Sequence, residues 1–348
     1  MEDTQQTFKR RTLNYLIKTL NGMALGLFST LIIGVIIEQI GLLLGNFALF
    51  EGIAPSLDQL AQTLKSLMGV GIGIGIAWSL SLGGLALIAG GIAGGVGTSV
   101  HSDPVVAYLT TIAAIEAVRF ILRKKTPLDI ILIPLISGLV ALLAATIIGE
   151  PVAAFMRAIG EFIKNATDYQ PFIMGIIIAV IMGMALTSPI SSAAIAVSIS
   201  SAADGVGLVG VAGGAAVVGG ATQMIGFAVM SRKDNNIGTV ISIAIGTSML
   251  QFKNILKKPI IWVPPIIISA ILGPISTLVF ALESTEIGAG MGTSSFVGQI
   301  GVIEAMGHTP MTYIGIALLH IVLPLVGVLA LDIVFRKKGL FEYGDFTL

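Results

Sequence analysis

Residues 260–282 read IIWVPPIIISAILGPISTLVFAL, which is 23 positions without one charged side chain. A helix of about 20 apolar residues crosses the hydrocarbon core of a bilayer, so this stretch is long enough to span it. Similar runs occupy residues 22–44, 128–149, 171–186 and 311–335. Lipid offers the backbone no hydrogen-bond partner, and these runs are continuous rather than alternating. They are therefore predicted to be helices and not the strands of a barrel.

The composition of the whole chain agrees with this interpretation. Hydrophobic residues make up 55% of the chain and charged residues 11%, and the mean hydropathy is +0.98. Soluble domains carry about 25% charged residues. Residues 66–100, 104–122 and 204–230 add spans interrupted by glycine. The sequence thus predicts an all-α polytopic membrane protein with about ten transmembrane or re-entrant helices.

Several classes of function are disfavoured by charge and residue usage. The formal net charge is zero, whereas a nucleic-acid-binding surface needs a cationic excess. The chain has no cysteine, which removes disulfides, thiolate catalysis and cysteine metal sites. His101, His308 and His320 are far apart and fit no metal-binding pattern. We expect no nucleic-acid partner, no metal, no cofactor and no enzymatic activity in this chain alone.

A short repeat suggests two related halves. Gly-Met-Ala-Leu occurs at 22–25 and again at 183–186, and each copy opens a similar series of apolar segments. Many membrane carriers consist of two such repeats, which are either inverted or parallel, and the sequence leaves that choice open. The predicted segments are a cytoplasmic N-terminal segment (1–20), a first membrane repeat (21–149), an amphipathic interfacial helix (150–170), a second membrane repeat (171–335) containing a re-entrant hairpin (283–303), and a cytoplasmic tail (336–348).

Basic clusters indicate the orientation in the membrane. Lys9, Arg10 and Arg11 stand near the start of the chain, and no cleavable signal pattern follows them. Another basic group occupies residues 336–338. Cytoplasmic loops carry an excess of Lys and Arg, so both termini are predicted to be cytoplasmic in a bacterial cell (inner) membrane.

Glycine is abundant between residues 69 and 97, and this pattern has two interpretations. Small residues let helices pack closely within a bilayer. Alternatively, glycine allows irregular backbone, which is tolerated at membrane depth only where it is buried or lines a wet cavity. The sequence does not decide between them.

A polar break interrupts the apolar run at residues 187–192, Thr-Ser-Pro-Ile-Ser-Ser. Pro189 lacks the N–H group that a continuous helix needs. The hydroxyl groups would then face a polar solute. In the alternative interpretation, the proline only kinks the helix and the hydroxyls bond back to its own carbonyls.

A second break, at residues 283–301, combines two carboxylates, hydroxyls, an amide and several glycines between two apolar spans. We expect a re-entrant hairpin whose tip binds a solute, with Glu283 or Glu286 accepting hydrogen bonds or carrying a proton. The alternative is a solvated extracytoplasmic loop. The residues assigned to the solute pocket are Thr187, Ser188, Ser191, Ser192, Gln223, Glu283, Glu286, Gly290, Gly292, Thr293, Ser294 and Gln299. Asn21, His101 and Asp103 are assigned to the rim of the pathway.

Other ionisable residues in apolar segments have simpler expected roles. Glu116 and Arg119 are three positions apart on one helical face and are predicted to pair. Glu38 is expected to face the interior or to reach the interface. His320 is interpreted as a core histidine with its hydrogen bonds satisfied, with a proton carrier as the alternative.

Four motifs carry a resemblance to a known family. They are Met-Gly-Met-Ala-Leu-Thr-Ser-Pro-Ile-Ser-Ser from residue 182, Gln-Met-Ile-Gly-Phe-Ala-Val-Met-Ser from 223, Gly-Thr-Ser-Met-Leu-Gln from 246, and Gly-Ala-Gly-Met-Gly-Thr-Ser-Ser-Phe-Val-Gly-Gln-Ile-Gly from 288. With them the chain resembles the EIIC-like membrane family of the bacterial phosphotransferase system, in the branch that includes the regulator of perfringolysin O production. The resemblance runs from residue 21 to the basic tail.

The resemblance implies a sugar permease module: an all-helical homodimer in the cell membrane that binds and releases a sugar, while separate cytoplasmic subunits bring the phosphate. The function predicted from the sequence is a permease that moves a small hydrophilic solute, a sugar or sugar derivative, by alternating access. Its partners would be that solute, membrane lipid, a second copy and the phosphotransfer subunits. The alternatives are a membrane-embedded solute sensor without transport and an ion-coupled carrier independent of phosphotransfer.

Overall fold

The computed structural model describes residues 2–45, 52–122, 126–167, 170–190, 192, 195–196 and 210–348. Helices dominate throughout this part of the chain, and it contains no strand beyond an isolated bridge between Gly210 and Ser284. The chain divides into two compact units, residues 1–153 and 154–348. The predicted all-α class is therefore confirmed.

The first unit is a set of closely packed helices. They are α1 (Glu2–Leu27), α2 (Ile33–Gly45), α3 (Ala54–Ser66), α4 (Met68–Ser79), α5 (Leu85–Val100), α6 (Pro104–Ile121) and the first part of α7 (Asp129–Thr167). A single π-helical turn, Phe28–Ile32, joins α1 to α2. Residues 2–20 belong to the same helix as the first apolar span, and residues 150–167 continue α7 from its apolar part.

Glycines in α4 and α5 lie where helix backbones meet. Gly75 of α4 faces Gly22 of α1, and Gly73 of α4 faces Gly90 of α5, each pair being too close to admit a Cβ atom. The backbone is helical on both sides of a short link at 80–84. Of the two interpretations of the glycine-rich region, close packing of helices is the correct one for α4 and α5.

This unit contains one pair of charged residues that the sequence predicted and one that it did not. Arg119 lies 2.7 Å from Glu116, one turn away on α6, and the Tyr15 hydroxyl donates to the same carboxylate. Glu38 of α2 pairs with Lys65 of α3 at 2.7 Å. Each carboxylate thus has a partner within the protein, as the low polarity of lipid requires.

The second unit is built around one central helix. Its elements after α7 are α8 (Pro171–Thr187), α9 (Gly210–Ser231), α10 (Ile237–Ile245), α11 (Phe252–Lys257), α12 (Val263–Ile275), α13 (Glu286–Ala289), α14 (Val297–Met306), α15 (Pro310–Gly315) and α16 (Leu323–Lys337). Helix α9 is buried along most of its length. Its small residues allow this, since Gly219 packs on the backbone of α8 at Ala179 and Gly214 packs on Leu282.

Residues 338–348 fold back onto the second unit. Phe346 is fully buried, and it packs edge-on against Phe341 with a ring-centroid distance of 5.4 Å. Asn235 and Gln251 both donate to the Phe346 carbonyl, and Asp345 pairs with Lys258 at 2.7 Å. The segment predicted as a cytoplasmic tail is therefore a packed part of the fold.

Six helical segments are long and apolar enough to cross a bilayer, within the residues that the structure describes. They are Arg11–Leu42, Pro104–Ile121, Asp129–Phe155, Gly210–Ser231, Pro259–Phe280 and Pro310–Lys337. The pair α3 and α4, bent by 50° at Leu67, is either a broken seventh span or a re-entrant loop, and α5 and α8 are shorter apolar helices. This set confirms a multipass membrane protein.

Candidate functional site

The polar break after α8 is a helix end and not a kink. Thr187 is the last helical residue, and Ser188 takes an extended conformation. The Ser188 hydroxyl bonds back to the Met184 carbonyl at 2.8 Å and the Thr187 hydroxyl to the Gly183 carbonyl at 3.2 Å, as the alternative interpretation expects. Thr187 also contacts side chains of other elements. Ser192 is buried and donates to the carbonyl of Gly290 at 2.6 Å. Ser191 lies outside the described residues.

Residues 283–306 form a helical hairpin with a buried turn. Thr285 caps α13, whose last residue is Ala289. The chain then turns through Gly292, Ser295 and Phe296, all with positive φ, and continues as α14. Positive φ at two consecutive non-glycine residues costs energy and marks a backbone held by its surroundings.

Most of the tip of this hairpin is buried in protein, while the Phe296 side chain at its end is exposed. Gly292 lies against Gly220 of α9. Thr293 donates to the Ala244 carbonyl at 2.5 Å, and Ser294 donates to the Gly246 carbonyl at 2.8 Å. The tip is thus bonded to the end of α10, which satisfies carbonyl groups left free where that helix ends.

Gln223, in the middle of α9, links these elements and is fully buried. Its Oε1 accepts from the Thr187 hydroxyl at 3.2 Å and from the Trp262 indole at 3.0 Å. Thr187 also bonds to Ser248 at 2.9 Å. We call Thr187, Gln223, Ser248 and Trp262 the Gln223 cluster.

Several buried polar atoms near the hairpin have no hydrogen-bond partner among the described residues. They are Gln223 Nε2, Ser284 Oγ, Ser295 Oγ, Gln299 Oε1 and His320 Nε2. Such an atom costs about 1–3 kcal/mol in an apolar interior. Because native interiors contain few of them, a group of this kind makes the region around the hairpin a candidate site.

Gln299 and His320 present one donor and one acceptor together. The Gln299 amide nitrogen lies 3.2 Å from His320 Nδ1, and both side chains are buried. With the amide as donor, His320 carries its proton on Nε2, which leaves an N–H and a C=O without partners. If the amide is turned over, the two roles exchange and the pair still offers one of each. His320 lies in a π-helical segment, Ile316–Val322, a feature frequent at functional sites.

The two carboxylates predicted for the pocket lie at the base of the hairpin and not at its tip. Glu283 is exposed, and Glu286 is half-buried at the start of α13. At the tip the structure places Gly290, Gly292, Thr293 and Ser294, with Ser192 bonded to Gly290. Thr187 and Gln223 contact each other on the neighbouring helices α8 and α9, and Gln299 lies on α14 beside His320.

The three residues predicted for the rim belong to the first unit. Asn21 is half-buried on α1. His101 ends α5 and lies against Gly149 of α7. Asp103 caps α6 by accepting from the Val105 N–H at 2.7 Å, and burial raises the pKa of its carboxyl.

Sequence reasoning missed Ser248 and Trp262 as members of the cluster, and it left Ser295 out of the pocket. A tryptophan in an apolar run gives no sign of where its N–H will be satisfied, because that partner lies 39 residues away. No group of three or more His, Cys, Asp or Glu that could hold a metal occurs in the described ranges.

Long apolar helices, buried helix ends and a polar cluster inside the second unit together define a multipass integral membrane protein with a candidate solute site. The chain belongs to the phosphotransferase system EIIC family, whose model matches residues 17–348. It is thus a membrane sugar-transport component by family. The match does not single out the branch of the perfringolysin O regulator. No curated protein and no solved structure matched the chain.

Proposed function

We propose that this chain binds a small hydrophilic solute, a sugar or sugar derivative, at the Gln223 cluster and the hairpin tip, and translocates it by alternating access. The observation that carries the proposal is the burial of Gln223 in the central helix with its Nε2 left without a partner among the described residues. A leucine would fill such a position in a purely structural helix at lower cost.

The chemistry of the cluster favours a neutral polyol over an ion. Its groups are one amide, two hydroxyls and an indole, which offer both donors and acceptors but no fixed charge. Each sugar hydroxyl donates one hydrogen bond and accepts others, so such a set can satisfy it. Glu283 and Glu286, at the base of the hairpin, would accept hydrogen bonds from hydroxyls as the solute enters.

We propose that the hairpin of residues 283–306 is the element that moves to open the solute site during alternating access. Side-chain hydrogen bonds from Ser192, Thr293 and Ser294 hold its tip, and each contributes about 1 kcal/mol net. A bound solute that replaces some of these bonds could therefore shift the tip between two positions. Helices interrupted at membrane depth are common at the sites of secondary transporters.

In such a system the phosphate would come from separate cytoplasmic proteins, and this chain would contribute only binding and passage. The predicted homodimer and the predicted division into two membrane repeats remain part of the proposal.

The test is uptake of labelled sugars into proteoliposomes that contain the purified protein with its phosphotransfer partners. Gln223→Leu should abolish uptake while the protein remains folded in the membrane. Thr222→Val is the matched control, because Thr222 is a buried neighbour on α9 whose hydroxyl, among the described residues, bonds its own helix at Val218. Transport by Gln223→Leu at the wild-type rate would refute the assigned site.

A further inference from the structure

The first unit contains an open cleft of about 280 Å³ where α3 and α4 meet. Its lining includes Lys65, Ser66, Met68, Thr98, Ser99 and Ser102. The chain bends by 50° between α3 and α4 at this point. The volume is just below the range for small-molecule pockets, which is about 300–1,000 Å³. Broken helices at membrane depth are tolerated where they line a wet cavity.

A charged pair stands at the edge of the cleft. Lys65 Nζ lies 2.7 Å from Glu38 Oε1, and both side chains are about one quarter exposed. Glu38 belongs to the membrane-capable segment Arg11–Leu42. Charged groups within such segments are costly and mark functional positions. Because Glu38 neutralises Lys65, the cleft has no net charge from this pair.

The hydroxyl groups of the lining are arranged as acceptors. Ser66 donates to the Thr63 carbonyl, Thr98 to the Gly95 carbonyl and Ser99 to the Val96 carbonyl. Each hydroxyl proton is therefore used within its own helix, and each oxygen keeps a free lone pair. The Lys65 ammonium adds donors, since it has three N–H groups and shows one bond to Glu38.

We infer that this cleft is a second binding site, specific for a neutral polyhydroxyl solute. Several acceptors with one ammonium donor match a sugar, whose hydroxyls can donate to Ser66, Thr98 and Ser99 and accept from Lys65. An anion would meet the lone pairs of these oxygens, and the Lys65 charge is already neutralised by Glu38, so an anion is disfavoured. This site is separate from the Gln223 cluster. The inference rests on the proposed function only in that a sugar is chosen as the solute class.

The absence of cysteine from the chain allows a direct test. Ser102→Cys places a single thiol in the cleft, and Ser56→Cys places one on the exposed start of α3 as a control. Labelling by a soluble maleimide is followed with D-glucose, N-acetyl-D-glucosamine, D-sorbitol or inorganic phosphate present. At least one of the three polyols should slow labelling of Ser102→Cys and none should affect Ser56→Cys. Protection by phosphate alone, or by no probe, overturns the inference.

Two further variants define the contacts. In the Ser102→Cys protein, Thr98→Val should raise the polyol concentration that halves labelling by about fivefold, the effect of one lost hydrogen bond. Thr146→Val is the matched control, because Thr146 bonds back to Leu143 in the same way but lies outside the cleft. An equal effect of both changes would count against the site.

Failure here can be distinguished from failure of the proposed transport site. In a protein that carries both Gln223→Leu and Ser102→Cys, polyol protection of the thiol should persist although uptake is lost. Loss of protection in that protein would mean that the cleft does not bind solute by itself, and would overturn the inference.

Discussion

The Trp262 indole donates a hydrogen bond of 3.0 Å to Gln223 Oε1, which ties the start of α12 to the middle of the central helix. The chain has two tryptophans, and the other, Trp78, lies in the first unit with 62% of its surface exposed. Trp262 therefore reports on the environment of Gln223 once Trp78 is replaced. The bond also explains how a polar amide is held in place inside an apolar helix.

The turn of the hairpin should be highly sensitive to an added methyl group. In Gly292→Ala the new Cβ would lie 2.6 Å from the Gly220 carbonyl carbon, at a φ of +55°. We expect a loss of about 2–4 kcal/mol from backbone strain and overpacking. Gly339→Ala, at a φ of +68° in the left-handed C-terminal cap of α16 with no atom within 4 Å, is the control and should lose only about 1 kcal/mol. Equal shifts in thermal unfolding in detergent would contradict the enclosed tip.

Asp332 should be essential for the stability of the second unit. It is fully buried and lies 2.8 Å from both Arg232 and Arg336. Asp332→Asn leaves two guanidinium groups without a counter-charge, so we expect a loss of about 3–5 kcal/mol. Glu116→Gln, in a pair that is nearly half exposed, should cost at most about 1 kcal/mol. Thermal unfolding of both variants measures the contrast, and similar losses would contradict it.

The packing of residues 338–348 predicts that substitutions at Phe346 and Tyr343 will differ in their effect on stability. Phe346 is fully buried and also lies 5.4 Å below the Arg336 guanidinium. Phe346→Ala should reduce the free energy of unfolding by about 3–5 kcal/mol. Tyr343→Ala, at a site that is 84% exposed, should change it by less than about 0.5 kcal/mol. If the two variants unfold at the same temperature, residues 338–348 do not pack on the second unit through Phe346.

The stability of the folded protein should depend on pH through the Asp103 carboxyl. Burial raises the pKa of its carboxyl above the ordinary value of 3.8. A carboxyl with a raised pKa in the folded state favours folding when protonated, so its contribution is lost as the pH rises through the raised value. Asp103→Asn keeps an amide oxygen for the Val105 cap and removes this dependence. The variant and wild type should have similar stability below pH 3.8 and diverge above it, with the variant the more stable. A difference that is constant with pH would refute this assignment.

Local features were predictable from the sequence. The apolar runs became helices because their length and continuity leave no other structure in lipid. Pro189 correctly indicated the end of α8 nearby, since it cannot continue a hydrogen-bonded helix. Glu116 and Arg119 were predicted to pair because three residues bring side chains to one helical face.

Long-range partners were not predictable. Lys65 and Glu38 are 27 positions apart, and Arg232 and Asp332 are 100 apart. These ion pairs form because of the way the helices pack, and no short sequence pattern reveals which helices pack together. The glycines of α4 were ambiguous for the same reason, because their meaning depends on which backbone faces them. Nothing in the sequence indicated that residues 338–348 pack on the second unit, because the Phe346 carbonyl is bound by the amides of Asn235 and Gln251, which are 111 and 95 positions away.

The central claim is that a solute binds beside Gln223, and Trp262 fluorescence in a Trp78→Phe protein tests it most directly. Titration with D-glucose, N-acetyl-D-glucosamine and related sugars should produce a saturable change in Trp262 emission with at least one of them. The change should disappear in the protein that also carries Gln223→Leu. A flat Trp262 signal in the presence of a sugar that the same preparation takes up into proteoliposomes would contradict the account.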